Sequence, residues 1–129
     1  MRRSALSLLL ILLAAGPAAA SGAIECTTSG GEASASLTIG SLPVLAVVGA
    51  KLEAGERRWT IGGDDAEGIA VGQAFRGIGE MRIDFTDPNV EEVVAEMRLF
   101  TATEGRQSVT AGTMRIADVG AWALTCEGP

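Results

Sequence analysis

Apolar residues recur at every second position through most of this chain, and a period of two commits a sequence to β-strands. Ala33, Ala35, Leu37 and Ile39 fall on one strand face, while Ser34, Ser36 and Thr38 fall on the other. Met81, Ile83 and Phe85 alternate in the same way with Arg82, Asp84 and Thr86. Trp59 and Ile61 share a face, and Trp122, Leu124 and Cys126 share another near the end of the chain. Ile69, Val71 and Phe75 line one side of a segment whose other side carries only Ala70, Gly72 and Ala74, small enough for a second backbone to approach closely. Leu42 to Val48 is apolar on both faces, which predicts a central strand covered on both sides. A buried helix over Leu42–Leu52 is the alternative there, because a short apolar run does not disclose its own period.

One segment departs from alternation. Asp87-Pro88-Asn89-Val90-Glu91-Glu92 offers a capping residue, a proline suited to a first turn and acids where a helix dipole favours them. Val90, Val93, Val94 and Met97 follow at helical spacing, so a short helical turn is expected near residues 88–95. Glu104-Gly105 predicts a hairpin turn, and Val119-Gly120 precedes the last strand. These signals add up to an all-β fold, a small antiparallel sandwich or barrel of about seven strands with Gly-rich turns.

The chain opens with Met1-Arg2-Arg3, continues through an uncharged apolar stretch from Ala5 to Ala15, and reaches Ala18-Ala19-Ala20. That order of positive start, apolar run and small residues is the pattern of a secretory signal peptide cut before Ser21. The expected division is a removed leader at 1–20 and a single exported β-domain at 21–129. The destination is the periplasm, with secretion beyond the cell as the alternative. An acid precedes Cys26, which argues against a lipid anchor at that cysteine. No apolar run after the leader is long enough to span a bilayer, so no membrane insertion is expected once the leader is gone.

Two cysteines in an exported chain point to a disulfide between Cys26 and Cys126. They lie one near each end of the exported domain, where a bridge serves as a staple. A redox pair is normally closer in sequence, as in Cys-x-x-Cys.

Charge narrows the partners. Arg2 and Arg3 account for two of the ten basic residues, so residues 21–129 carry eight against sixteen acids, a net charge of −8. Nucleic acid and anionic lipid both require positive surface, and neither is expected as a partner. The absence of histidine removes the Ser-His-Asp triad, the Cys-His pair and histidine-based zinc sites. No cofactor is expected. Any catalysis would fall to carboxylates, arginines or the lone Lys51, and a pair of carboxylates in a cleft would make a small cell-wall hydrolase.

Two constellations remain. The loop Gly62-Gly63-Asp64-Asp65-Ala66-Glu67-Gly68 could offer Asp64, Asp65 and Glu67 to calcium as a structural ion, although a solvated turn explains the same residues. A triplet recurs as Glu80-Met81-Arg82, Glu96-Met97-Arg98 and Thr113-Met114-Arg115. On neighbouring strands it would align Arg82, Arg98 and Arg115 across one sheet face, able to grip a carboxylate, phosphate or acidic loop. The plainer reading pairs each arginine with Glu80, Asp84 or Glu96 on a solvated face. Phe100 falls on the same strand face as Arg98 and joins the candidate contact surface.

In size, export and a disulfide-tied last strand the chain resembles small bacterial envelope barrels that inhibit lysozyme, and no residue motif of theirs carries over. The resemblance implies a binding task. The expected function is therefore a small exported, non-enzymatic module that binds a protein or envelope component. A calcium-stabilised envelope module and a carboxylate-dependent hydrolase are the alternatives.

Overall fold

The computed structural model describes residues 22–128, so the leader at 1–20 lies outside the described residues. Alternation is realised as ten strands: β1 (Gly22–Thr27), β2 (Ala33–Ile39), β3 (Val47–Ala54), β4 (Arg57–Thr60), β5 (Glu67–Gly68), β6 (Ala70–Gly77), β7 (Glu80–Thr86), β8 (Val93–Glu104), β9 (Gln107–Ile116) and β10 (Gly120–Glu127). They form one sheet in the order β5-β4-β3-β2-β1-β10-β9-β8-β7-β6. The first half of the chain is thus a four-strand meander with β5 added at its edge and the second half a five-strand meander, and the two meet where the first strand pairs with the last.

The sheet curls into a nearly closed barrel. β5 and β6 are separated by Ile69 alone, so one continuous stretch supplies both outer edges of the sheet. Its first two residues pair with β4, Glu67 opposite Trp59 and Gly68 opposite Thr60, and the remainder pairs with β7. The Ile69 amide extends the closure by donating to the Thr60 carbonyl at 3.0 Å. The β4–β5 pair is parallel and every other pair is antiparallel.

Large and small side chains oppose one another on the inner face, which is how a narrow barrel is filled. Ala35 faces Leu52 and Ala50 faces Leu37 between β2 and β3. The other half contributes Ile83, Phe85, Met97, Leu99, Met114 and Ile116, all fully or almost fully buried. At the meeting of the halves Cys26 stands directly opposite Cys126, with Cα atoms 4.0 Å apart, and the two form the disulfide. Burial of both cysteines places the bridge in the core. Gly112, between Leu99 on β8 and Leu124 on β10, has no room for a side chain, since a Cβ there would collide with the Arg98 carbonyl.

Several expectations are corrected. Ten strands replace about seven. β1 has only Ile24 and Cys26 as inward side chains, β5 is two residues long, and much of β9 is Ser, Thr, Ala and Gly on both faces, so none carries strong alternation. No helix forms near residues 88–95. Asp87 to Glu92 is instead a turn with Val90 at φ 61°, a left-handed backbone that ends any helical progress, and β8 has begun by Val93. The acid at 87 caps as its position suggests: its carboxylate accepts from the amides of Asn89 (3.1 Å), Glu91 (2.8 Å) and Glu92 (2.7 Å).

Leu42 to Val48 is not a central strand either. Pro43 lacks an amide for a ladder, the chain bends through residues 41–44, and β3 starts only at Val47. Leu42 and Val44 are left exposed, and Val48 bulges outward where Thr38 pairs with Gly49 but Ile39 pairs with Val47. Another bulge turns Phe75 out of the core. Val71 pairs with Phe85 and Gln73 with Asp84, so Gly72 is the extra residue and the face alternation reverses after it. Ala74 takes the inward position opposite Ile83, and Phe75 lies on the outer face, 48% exposed.

Two predictions follow from this frame. Reducing the disulfide, or replacing both cysteines by alanine, should lower stability by about 2–5 kcal/mol and Tm by roughly 10–25 °C. The loss should be accompanied by faster hydrogen exchange in β1 and β10 before other strands. An unchanged melt would refute the role of the bridge. Asp87 is the second case. Backbone amides, that of Glu92 foremost, hold its carboxyl below the ordinary carboxylate value. A depressed folded-state pKa gives stability that is present above the ordinary value and lost as pH falls through the folded one. Asp87→Ala should therefore melt a few degrees below the parent at neutral pH, with the gap shrinking as pH drops below about 4.

Candidate functional site

The outer faces of β7, β8 and β9 carry the recurring triplets, and strand register decides which of their residues meet. Arg82 on β7 lies directly opposite Arg98 on β8. Arg98 lies opposite Thr113 on β9, while Arg115 lies opposite Glu96. All three arginines share the outer face, with Arg82 and Arg98 in one row and Arg115 in the next.

Each is held by an acid. Arg82 donates from Nε to Glu80. Arg98 sits 2.7 Å from Asp84 and 3.3 Å from Glu96, and its Nη1 also donates to the carbonyls of Met97 (2.8 Å) and Ile83 (3.3 Å). Arg115 donates to the other Glu96 oxygen at 2.6 Å, so Glu96 bridges Arg98 and Arg115. Arg98 and Arg115 thus join Asp84 and Glu96 in one net, the Arg82–Glu80 pair lies beside it, and the charges balance across three strands. The Arg98–Asp84 contact brings opposite charges together without hydrogen-bond geometry, and Asp84 Oδ1 is buried with no donor. Arg98 is the half-buried centre of the net, whereas Arg82 and Arg115 are exposed on either side.

Aromatic rings flank these charges. The Arg82 guanidinium lies 6.0 Å from the centre of the Phe75 ring, at the outer limit of a cation–π contact. Phe75, Gln73, Glu80, Arg82, Asp84 and Arg98 line a shallow groove of about 380 Å³. Phe100, 56% exposed, stands two residues beyond Arg98 on the same face, opposite Glu80 on β7 and Ala111 on β9. Phe75 was hidden from sequence reasoning by the bulge, and the glycine at 72 in the middle of a strand is the one local sign of it.

Past Leu99 and Gly112 the patterning of the β8–β9 hairpin inverts, and beyond Thr101 and Thr110 the hairpin extends past β7 and β10. The side that would continue the core carries hydroxyls, with Thr101 and Thr110 oxygens 2.8 Å apart and Thr103 and Ser108 oxygens 3.2 Å apart. The outward side carries Phe100, Ala102, Val109 and Ala111, all exposed. The apolar face of this arm has no core to bury it.

The acidic loop lies apart from this surface. Asp64 and Asp65 are exposed between β4 and β5. Both Glu67 oxygens accept from Arg57 Nη2, at 2.8 and 2.9 Å. The same Arg57 covers the buried Trp59, 4.8 Å from its ring centre. Among the described residues no group of three or more acids or cysteines comes together in a metal-holding arrangement. A disulfide in the barrel wall is compatible with an exported, oxidising location. Set against known protein families, curated proteins and solved structures, the chain matches none.

Proposed function

We propose that this protein is a small exported, non-enzymatic binding module for a protein or envelope component, and that the outer face of β7–β9 is its contact surface. The observation that carries this reading is the pairing of exposed aromatics with a neutralised arginine net. Phe75 and Phe100 stand beside Arg82 and Arg98 on a patch whose charges cancel. The domain as a whole carries eight basic against sixteen acidic residues. Aromatic residues and arginine are enriched at the centres of protein interfaces, where lysine and unpaired acids are depleted. Arg82 and Arg115 keep outward-facing donors for a partner's carboxylates or carbonyls, while Arg98 holds the net in shape from its centre.

The test is affinity capture from envelope extract with the disulfide-bonded protein as bait, beside the Arg82→Glu/Arg115→Glu double variant and Phe100→Ala. A component retained by the parent should be lost at least tenfold in both variants while their melting temperatures stay within a few degrees. Equal retention by the variants, or no retained component, would reject this face as the contact surface. Arg98→Met serves as the contrast: removing the centre of the net should lower stability as well as capture, because it strands Asp84 and leaves Glu96 with Arg115 alone.

A further inference from the structure

β6 ends the sheet, bonded to β7 on one side and to no strand on the other. In an antiparallel ladder the N–H and C=O groups of alternate residues turn to opposite edges. The two-residue turn Ile78-Gly79 makes Gly77 and Glu80 a bonded pair, and Phe75 with Arg82 the next. Ala74 and Arg76 therefore turn their peptide groups away from β7, where no backbone partner meets them among the described residues. Such an edge is a template for another strand. The bulge at Gly72 limits the regular part to Gln73–Gly77.

Its chemistry is unusual for this chain. None of the eight β6 residues is acidic, although the protein has sixteen acids. Arg76 is exposed and enters no ion pair among the described residues. Phe75 presents half of its ring to solvent at the edge itself.

We propose that β6 pairs antiparallel with β6 of a second copy of this chain, on a two-fold axis through Phe75. That register sets Phe75 against Phe75, Ala74 against Arg76 and Gln73 against Gly77. No like charges oppose one another, and the small Ala74 leaves room for Arg76. Ala74 and Arg76 of both copies supply the ladder bonds, and the two phenylalanines form the closely spaced cross-strand pair that favours aromatic contact. Two molecules of net negative charge meet along the acid-free strand, and this self-complementarity selects a second copy over an unrelated strand. The row Arg98–Arg82–Phe75 then continues into Phe75–Arg82–Arg98 of the second copy, so the outer faces merge across the axis. This pairing stands whether or not the same face binds another component.

Sedimentation velocity of the purified disulfide-bonded protein, from about 5 to about 500 µM, is the test, since an edge this short makes a weak dimer. The sedimentation coefficient should rise with concentration, and the Ala74 and Arg76 amides should exchange more slowly at the upper end. Phe75→Lys opposes two charges on the axis and should weaken association at least tenfold with an unchanged melt. Ala74→Pro removes an amide that the β7 ladder does not use and should do the same. A monomer throughout the range, or a dimer that survives Phe75→Lys, overturns the proposal.

Discussion

Three residue pairs hold the two meanders together: Glu25 with Glu127, Cys26 with Cys126 and Thr27 with Thr125. Every other strand pair joins neighbours in sequence, or nearly so, and could form within one half of the chain. The β1–β10 ladder spans the whole domain, so it carries the largest loop-closure cost for the fewest bonds. Its Glu25–Glu127 pair opposes two carboxylates, an unfavourable arrangement in a sheet, and Glu25 is instead satisfied by the Ser36 hydroxyl at 2.6 Å. The covalent bond at the middle pair therefore decides whether the inner row from Leu124 and Cys126 through Cys26 to Ala35, Leu52 and Trp59 is one core or two.

The outer net depends on that closure only indirectly, because β6 to β10 are a meander in their own right. Its order comes from register. Residues pairing between β7 and β8 place Arg82 beside Arg98, and the hairpin between β8 and β9 shifts Arg115 by two positions, to Glu96. Thr113 thus stands opposite Arg98, where a third arginine would have crowded the other two, and Arg115 meets the shared acid Glu96 instead. Gly112 lets β9 lie close beneath Arg98, and the carbonyls of Met97 and Ile83 complete the bonding of its guanidinium.

Alternation made the fold class and the inward residues of β2, β4, β7 and β10 legible in the sequence, because a buried face writes itself at every second position, and the disulfide was legible from the cysteine count alone. The shared outer face of Arg82, Arg98 and Arg115 was legible for the same reason. Their partners were not, since register between strands is set by turns and bulges that no single strand records. Gly72 shows the limit most plainly: one unpaired residue moved Phe75 from the expected core to the surface and exchanged it for Ala74. The acids after Asp87 announced a cap, but whether a helix or a turn receives it was decided by the backbone at Val90. Proline at 43 was the neglected signal in the run from Leu42 to Val48.

Strand parity explains why the barrel is joined by a parallel pair. Counting β5 and β6 as one stretch of chain, nine staves surround the core, and an odd ring of antiparallel neighbours must contain one pair that runs the same way. That pair is β4 with β5. Its members are joined by residues 61–66 rather than by the long crossover that parallel neighbours usually require. The return meets β4 only at Trp59 and Thr60, after which the chain runs on past the end of β4 and pairs with β7 alone. The direction of travel thus decides that the ring is joined by a parallel pair, and the acidic loop is the piece of chain that turns β5 to run alongside β4.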